Sequence, residues 1–444
     1  MNTGVEGLID KTVVSVIGLG YVGLPTALFA SSSGLKVFGF DTNVDRIKKI
    51  NNLENVIEEA PIQNLLRKEI TLKRFIASST LEPADYFVIC VPTPIKKECA
   101  DLSAVFAAAR KISGLIKSGN TVILESTVPV GTTALLAKDI QKWSGLEVGK
   151  EFHVAHSPER ILPGNIAEEL IYNDRVIGGV TPECSRKAEK FYKYFVQSIF
   201  KIVDSKTAEM VKLVENSSRD VQIAFANQVS MLCHEAKINS HQVIQLANMH
   251  PRVNILTPGP GVGGHCIAVD PFFLIESFPK SAPLLRAARN LNDSRPEQVV
   301  SQVTEICINF SKNNGRIARV ALLGLAYKPD VADFRGSPAL KIAKSLSSKP
   351  GECQLIVCEP FAKGTAIEND EFQIADSWED AVFGADVVLI LVPHKDFKVI
   401  SEEMLSGKLV IDPTGMLHKV GVEGFKPSKA IKMRKSPTFY SSTV

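Results

Sequence analysis

The chain of 444 residues lacks the features that mark membrane, secreted and nucleic-acid-binding proteins. Its longest apolar runs, such as Val387–Val392, have the length of a strand and are far too short to span a bilayer. The first residues, MNTGVEGLIDK, contain neither the basic nor the apolar region of a signal peptide. The eight cysteines form no C-x-x-C pair, which is typical of a reducing compartment, and a net charge of +3 gives no basis for nucleic-acid binding. We therefore expect a cytoplasmic protein with no membrane segment and no nucleic-acid partner.

The order of strands and helices predicts a parallel sheet in the N-terminal part. A hydrophobic content of 45% indicates a globular protein, and the length is enough for two or three domains. A β-branched run at Thr12–Ile17 is followed by glycines, by a helical pattern to about Ser33, and by a second strand at Lys36–Phe40. Further buried strands are predicted at Tyr86–Val91, Thr121–Leu124 and Arg175–Ile177.

The C-terminal part repeats this pattern in the same order. ALLGLA, LIVCEP, ADVVLILVP and KLVIDPTG repeat SVIGLG, VFGFDT, ADYFVICVP and NTVILESTV. Long helices are predicted between the two parts at Thr207–Ala236 and Pro283–Phe310. The predicted fold class is α/β, with two Rossmann-like, doubly wound parallel-sheet domains joined by a central helical domain with a long spine helix. The predicted domains cover residues 1–204, 205–312 and 313–425, followed by a basic, solvated tail at 426–444.

The first glycine turn predicts a dinucleotide site. Gly18, Gly20 and Gly23 follow a strand and open a helix, and Asp41 ends the next strand. The pyrophosphate would lie at the helix N-terminus, near Tyr21 and Val22. Asp41 would accept hydrogen bonds from a ribose and repel a 2′-phosphate, which favours NAD over NADP, although Arg46 weakens that preference. The second copy keeps Gly324 but has Ala326 where the second glycine would be, so Lys328 is a candidate for binding phosphate there.

Cys266 in the stretch GPGVGGHCIAVDP is the candidate nucleophile. A buried structural thiol is the alternative, and zinc is disfavoured because His265 is adjacent and no other ligands cluster nearby, so no metal is expected. We interpret the four surrounding glycines as making room for a ligand carbon to approach the sulfur. A thiol that captures an aldehyde would let an NAD enzyme oxidise an alcohol twice, through a thiohemiacetal and a thioester. Lys212 and Asn216, one turn apart on the spine helix, are candidate oxyanion donors, with Arg219 one turn further. Asp270 and Glu159 are candidates for ordering or activating water.

These motifs resemble the UDP-glucose/GDP-mannose dehydrogenase family. The resemblance runs from about Lys11 to Gly415 and rests on GLGYVGLP, VPTP, ESTVPVGTT, SPERILPG, AEMVKLVENSSRD, GVGGHCIAVDP and GLAYKPDVADFRGSP. It implies that catalysis uses Cys266, Lys212, Asn216, Asp270, Thr127 and Glu159. It implies that NAD is bound by Tyr21, Val22, Asp41, Arg46, Thr93, Thr127 and Arg335, in addition to the three glycines. It implies that the nucleotide sugar is bound by Arg160, Ile161, Lys212, Asn216, Arg219, His250, Arg252, Gly263, Tyr327 and Lys328.

The resemblance also suggests the substrate and a role in polysaccharide biosynthesis. Ile267-Ala268-Val269 follows the cysteine, as in members that act on 2-acetamido sugars, and HPRVNIL resembles those that act on UDP-N-acetyl-D-mannosamine. Oxidation of UDP-N-acetylglucosamine or UDP-glucose is the main alternative. A hydroxyacyl- or phosphogluconate-type dehydrogenase would not need Cys266. A non-catalytic NAD-binding module is disfavoured by the intact set of Lys212, Asn216, Cys266 and Asp270. The long central helix predicts a homodimer.

Overall fold

The computed structural model describes residues 12–54, 56–57, 59–161, 164–349, 351–363, 365, 367, 372–417 and 438–439. The chain divides into two compact units. The first consists of residues 1–215 and 272–279, and the second of residues 216–271 and 280–444.

The first two hundred residues alternate between strands and helices. In chain order they form β1 Val13–Ile17, α1 Gly23–Ser32, β2 Lys36–Phe40, α2 Val44–Asn51, α3 Ala60–Thr71, β3 Phe75–Ser78, β4 Tyr86–Ile89, β5 Ile95–Lys96, β6 Cys99–Ala100, α4 Ser103–Ser113, β7 Thr121–Leu124, α5 Thr132–Ser144, β8 His153–His156, α6 Ile166–Tyr172, β9 Arg175–Gly179, α7 Pro182–Tyr192 and β10 Phe200–Asp204. The predicted strands at 36–40 and 121–124 are confirmed, and the strand predicted at 86–91 is two residues shorter.

The main sheet of the first unit has eight described strands in the order β10-β9-β8-β7-β4-β1-β2-β3. Strand β1 pairs in parallel with β2 and β4, so Ile17 is level with both Phe40 and Ile89 and the turns that follow these strands meet at one edge. The predicted Rossmann-like parallel sheet is confirmed, and it contains one antiparallel pair, β8 with β9. The hydrophobic pattern of a doubly buried strand is the same in either direction and could not reveal this.

Both faces of this sheet are buried. In β4, Tyr86 and Val88 belong to one apolar cluster, whereas Phe87 and Ile89 belong to the other. Successive side chains of a strand point to opposite faces, so a strand covered on both sides is apolar throughout. This explains why the buried strands appear in the sequence as continuous apolar runs.

Two long helices and a second sheet follow. The elements are α8 Ser205–Glu235, α9 Ser240–Ala247, α10 Asp270–Ser277, α11 Pro283–Asn314, β11 Ala318–Leu323, α12 Pro338–Ser347, β12 Cys353–Cys358, β13 Gln373–Ile374, α13 Trp378–Val382, β14 Val387–Ile390, β15 Leu409–Ile411 and β16 Thr438–Phe439. Asp204 begins α8 by accepting hydrogen bonds from the backbone N–H and the hydroxyl of Thr207, at 3.0 and 2.6 Å. The predicted long helices are confirmed, and the second continues through Pro296 to Asn314.

The internal repeat is confirmed by the topology of the second sheet. Its order is β13-β12-β11-β14-β15-β16, so β12-β11-β14-β15 repeats β2-β1-β4-β7 of the first sheet. Thr438–Phe439 pairs in parallel with Leu409–Val410. The expectation of a solvated tail is therefore wrong at these two residues. The division into three domains with boundaries at 204, 312 and 425 stays a prediction.

Candidate active site

The turn after β1 has the geometry that a dinucleotide-binding turn requires. Gly18 has φ +94°, and a Cβ there would lie 2.7 Å from the carbonyl oxygen of Cys90. A Cβ on Gly23 would lie 1.9 Å from the carbonyl oxygen of Gly18, so only glycine lets α1 begin this close to the strand. Around Gly20, in contrast, no heavy atom lies within 4 Å of an added Cβ. This open space at the N-terminus of α1 fits the approach of a pyrophosphate.

Asp41 lies at the end of β2, beside that turn. One of its carboxylate oxygens accepts a hydrogen bond from the Leu19 backbone N–H at 2.9 Å and also contacts Arg46 Nη1 at 3.0 Å. Its other oxygen accepts from the Asn43 N–H at 2.8 Å. Arg46 is thus an ion-pair partner of Asp41 rather than an isolated surface arginine. Both side chains fit contact with the ribose.

The other predicted cofactor residues of the first unit lie in neighbouring loops. Val22 immediately precedes α1, and Tyr21 is exposed, with its hydroxyl donating to Glu59 Oε1 at 2.9 Å. Thr93, after β4, donates its hydroxyl proton to the Thr127 carbonyl at 2.7 Å, and Thr127 follows β7. Because β4 and β7 are parallel neighbours, this bond ties together two loops at the carboxyl edge of the sheet.

Glu159 lies after β8 and is held from two sides. Its Oε2 accepts from Arg175 Nη2 at 2.6 Å, and its Oε1 accepts from the backbone N–H groups of Arg160 and Ile161 at 2.7 and 3.1 Å. Both oxygens of Glu159 are thus engaged, which favours a role in holding the Arg160–Ile161 backbone over that of a general base. Arg160 pairs with Glu215 at 2.7 Å.

Sequence reasoning missed the buried network behind Glu159. Glu125 accepts hydrogen bonds from the Tyr192 hydroxyl at 2.7 Å and from the Cys90 thiol at 3.1 Å. Burial raises the pKa of Glu125 and raises the pKa of Cys90 well above its ordinary value. The guanidinium of Arg175 lies 4.4 Å from the centre of the Tyr192 ring. The only sequence feature that could have revealed this network is the presence of charged residues beside buried strands.

Lys212 is half-buried on α8, and Asn216 follows it one helical turn later. Burial lowers the pKa of His156 to about 3, and the charge of Lys212 contributes to this lowering. The ammonium of Lys212 therefore acts on groups at the end of β8.

In the second unit, the Cys266 loop brings together three of the predicted catalytic residues. Cys266 is exposed, and its carbonyl accepts from the N–H groups of Val269 and Asp270 at 3.0 and 2.8 Å. This tight turn leads into α10 and places Asp270 in a buried position, 2% exposed. The amide of Asn216 donates to Asp270 Oδ2 at 2.5 Å. An exposed thiol thus lies four residues before a buried, amide-bound carboxylate.

Two of the four glycines of this loop, Gly263 and Gly264, make room for the protein itself. A Cβ on Gly263 would lie 2.8 Å from both the Gly336 carbonyl oxygen and Pro338 Cδ. Gly264, with φ +84°, lies against the ring of Tyr327, whose Cε2 would be 2.9 Å from an added Cβ. These two glycines thus let the Cys266 loop pack against residues 327–338, and the interpretation that they also leave space around the sulfur stays a prediction.

The remaining predicted residues lie in three places in the second unit. Tyr327 and Lys328 follow β11, and burial raises the pKa of Tyr327. Arg335, expected at the cofactor, forms a bidentate ion pair with Asp333, with Nε 2.9 Å from Oδ1 and Nη2 2.6 Å from Oδ2. Arg219 is exposed on α8, and His250 and Arg252 are exposed in the loop after α9.

No group of three or more His, Cys, Asp or Glu side chains within the described residues is arranged to hold a metal ion. Over the same part of the chain, no helix is both long and apolar enough to cross a bilayer.

Three segments of the chain match the domain profiles of a single protein family. Residues 12–196 match the NAD binding domain of the UDP-glucose/GDP-mannose dehydrogenase family, residues 206–294 its central domain, and residues 321–419 its UDP binding domain.

Similar proteins of known name and structure support this match. UDP-N-acetyl-D-mannosamine dehydrogenase of Escherichia coli (strain K12) is 41% identical over 415 residues, which cover 91% of this chain and 98% of that protein. NDP-N-acetyl-D-galactosaminuronic acid dehydrogenase of Ralstonia solanacearum is 41% identical over 416 residues, 92% of this chain and 97% of that protein. The structure of UDP-D-ManNAc dehydrogenase from Pyrococcus horikoshii has a TM-score of 0.84 at 35% identity and covers 97% of this chain and 100% of that chain.

The glycine turn and the Rossmann-like sheet place this protein in the class of NAD-binding oxidoreductases. Within that class, the chain belongs to the UDP-glucose/GDP-mannose dehydrogenase family. It is an NAD-dependent nucleotide-sugar dehydrogenase with a UDP-binding domain.

Proposed function

We propose that this enzyme oxidises the C6 alcohol of UDP-N-acetyl-D-mannosamine to the uronic acid in two successive steps, through a covalent intermediate on Cys266. The observation that carries the proposal is the exposed Cys266 thiol four residues before the buried Asp270, in a chain of an NAD-dependent family. A dehydrogenase that stops at the aldehyde needs no thiol, whereas one that continues to the acid gains from holding the aldehyde covalently.

The two oxidations together consume two equivalents of NAD for each sugar. When bound, NAD takes up a hydride in each of the two oxidations. Loss of hydride and a proton converts the alcohol to an aldehyde, and the Cys266 thiolate adds to the aldehyde carbon to form a thiohemiacetal. Loss of a second hydride gives a thioester, from which water releases the carboxylate and regenerates the thiolate. Gly18, Gly20 and Gly23 would let NAD approach the turn, while Asp41 would bind its ribose.

Distinct roles follow for the side chains around these steps. Lys212 and Asn216 would stabilise the oxyanion of each tetrahedral intermediate. Asp270, whose carboxylate accepts from Asn216, would orient that amide and the attacking water. Glu159 would hold the backbone of Arg160 and Ile161 towards the sugar. Thr127 would be fixed by Thr93, and Arg219, His250, Arg252, Tyr327 and Lys328 would bind the nucleotide sugar.

The test of the covalent mechanism is a pair of cysteine variants. The kcat of Cys266→Ser for complete oxidation should fall by ~10³-fold or more, because a serine hydroxyl is a far weaker nucleophile at neutral pH. Its NAD binding should be retained. Cys99→Ser, at a second exposed cysteine in β6, should be fully active. Normal steady-state turnover in Cys266→Ser would overturn the mechanism.

The test of the substrate is the rate of NADH formation with a panel of nucleotide sugars. UDP-N-acetyl-D-mannosamine should give the highest kcat/KM and two NADH per sugar. The name of the Ralstonia solanacearum relative makes the galacto isomer, which differs at C2 and C4, the second candidate. A higher kcat/KM with UDP-N-acetyl-D-galactosamine, UDP-N-acetylglucosamine or UDP-glucose would reassign the substrate, and one NADH per sugar would contradict the double oxidation.

We also propose that the enzyme is a homodimer. Phe225 and Leu232 lie two turns apart on one face of α8 and are each 55% exposed, and Met249, in the loop after α9, is 76% exposed. Exposed apolar side chains grouped on one helix face are typical of an interface, whereas a single exposed one is not. Phe225→Asp should shift the mass measured by light scattering from dimer to monomer, whereas Phe383→Asp, at an 87% exposed position, should leave it unchanged. A monomeric wild-type enzyme would contradict the proposal.

A further inference from the structure

The second sheet carries its own version of the carboxylate that ends β2. Glu359 follows β12 as Asp41 follows β2, but its side chain is fully buried. Its Oε2 accepts from the backbone N–H groups of Leu325 and Ala326 at 2.5 and 3.1 Å, and its Oε1 accepts from that of Phe361 at 3.0 Å. In the first sheet, Asp41 accepts from the Leu19 backbone N–H, and the proposed function assigns it to the ribose as well. In the second sheet, the buried Glu359 carboxylate holds the turn after β11.

A buried histidine connects Glu359 to the next part of that turn. His394 lies after β14 and is 1% exposed, with Nε2 3.3 Å from Glu359 Oε2. Its Nδ1 accepts a hydrogen bond from the Asp330 backbone N–H at 3.0 Å. Because a backbone N–H can only donate, Nδ1 carries the lone pair and Nε2 carries the proton that points at Glu359. The ring therefore makes two bonds of opposite kind.

Asp330 needs this support because its backbone is strained. Its φ is +60°, in the left-handed region that costs a residue with a side chain about 1–2 kcal/mol. Two bonds hold it there: its N–H donates to His394, and its carboxylate accepts from the Lys395 N–H at 2.8 Å. The turn closes where the Tyr327 N–H donates to the Asp333 carbonyl at 3.0 Å. Asp330 is thus at the centre of a tight loop between Tyr327 and Asp333.

This loop presents the side chains that the proposed function assigns to the nucleotide sugar. The ring of Tyr327 packs on Gly264, two residues before Cys266, and Lys328 is its neighbour in sequence. We infer that His394, supported by Glu359, is a positioning residue for nucleotide-sugar binding, which fixes the Asp330 turn and so sets Tyr327 and Lys328. The inference rests on the proposed function, in which these two residues contact the substrate.

Two amide variants separate the two bonds of the ring. In the His394→Asn variant, the side-chain amide oxygen takes the position of Nδ1 and can still accept from the Asp330 N–H. In the His394→Gln variant, the side-chain amide nitrogen takes the position of Nε2 and can still donate to Glu359. Each variant therefore keeps one bond and loses the other. If the Asp330 bond positions the loop, only the Gln variant should affect ligand binding, and a merely structural histidine would give no such difference.

The experiment compares the full-length wild type with both variants. His394→Gln should speed deuterium exchange in the peptide covering residues 325–333 and weaken UDP binding, measured by calorimetry, by about 5–10-fold, because one buried hydrogen bond is lost. Its KM for the nucleotide sugar should rise by the same factor, with kcat within twofold and the KM for NAD unchanged. His394→Asn should retain wild-type exchange in that peptide and wild-type UDP affinity.

Equal effects of the two variants on exchange, or unchanged UDP affinity in His394→Gln, would overturn the inference. A wild-type enzyme that oxidises none of the nucleotide sugars would contradict the proposed function alone. In that case the difference in exchange and UDP affinity between the Asn and Gln variants still decides whether His394 sets this loop.

Discussion

Substituting alanine at Gly263 tests what the glycines of the Cys266 loop are for. The added Cβ would lie 2.8 Å from the Gly336 carbonyl oxygen, 2.8 Å from Pro338 Cδ and 3.0 Å from Tyr327 Cβ. Two of these atoms belong to backbone or a proline ring, which cannot move aside as a flexible side chain would. Overpacking of this kind costs about 1–3 kcal/mol, and the loss of glycine's freedom in the unfolded chain returns about 0.4–1 kcal/mol. The net loss is on the order of 1–2 kcal/mol.

Gly259 provides the matched control in the same loop. No heavy atom lies within 4 Å of a Cβ added there, and its φ is not in the left-handed region. The backbone bonds of Gly259, from its N–H to Asn227 at 2.9 Å and from Arg295 to its carbonyl, do not involve the new methyl group. Gly259→Ala should therefore be as stable as the wild type or slightly more stable.

Thermal unfolding followed by circular dichroism measures the difference, together with the KM for the nucleotide sugar. A loss of 1–2 kcal/mol should lower the Tm of Gly263→Ala by roughly 2–8 °C, with no decrease in Gly259→Ala. If Gly263→Ala melts with the wild type and only its KM rises, the glycine makes room for the ligand, and the packing argument is refuted.

Three other substitutions, one of them with a control variant, test the proposed ribose contact of Asp41, the second sheet and the core of the second unit. Asp41→Asn should raise the KM for NAD about 10-fold in initial-rate measurements because a charge-assisted hydrogen bond to the ribose is weakened, and an unchanged KM would remove Asp41 from the ribose site. Burial alone would raise the pKa of Glu359, but hydrogen bonds from His394 and from the backbone N–H groups of Leu325 and Phe361 outweigh it and hold the pKa below its ordinary value. The stability contributed by Glu359 is therefore complete above the unfolded pKa of about 4.3 and is lost as the pH falls through the folded pKa. Glu359→Gln should lower the free energy of unfolding by about 1–3 kcal/mol at pH 7 and by less at pH 3, and an equal effect at both pH values would contradict this. Arg289→Met leaves the buried Asp220 without its 2.6 Å partner and should lower the free energy of unfolding by about 3–5 kcal/mol. Arg316→Met removes a side chain that is 53% exposed in its ion pair with Asp386 and should cost less than about 1 kcal/mol. Equal losses in chemical unfolding would contradict the assignment.

The amino-acid sequence by itself determined the features that depend on near neighbours. Strand, glycine turn, helix and Asp41 lie within thirty consecutive residues, from Val13 to Asp41, so their spacing alone predicts the NAD site. The repeat was equally visible, because buried parallel strands keep their apolar runs when the chain is duplicated. Cys266 and Asp270 were found for the same reason, since one tight turn joins them.

Only the tertiary structure decided which distant residues meet. Arg175 lies sixteen positions from Glu159, and His394 lies sixty-four from Asp330, so no local periodicity connects either pair. The reversed direction of β9 also depends on how the chain returns to the sheet. The glycines beside Cys266 illustrate the limit: the sequence showed that side chains are excluded there, but the neighbours that exclude them, Pro338 and Tyr327, are more than sixty residues away. A glycine in the sequence can indicate that two parts of the chain approach closely, but it does not identify the approaching part, because the absence of a Cβ is compatible with any neighbour.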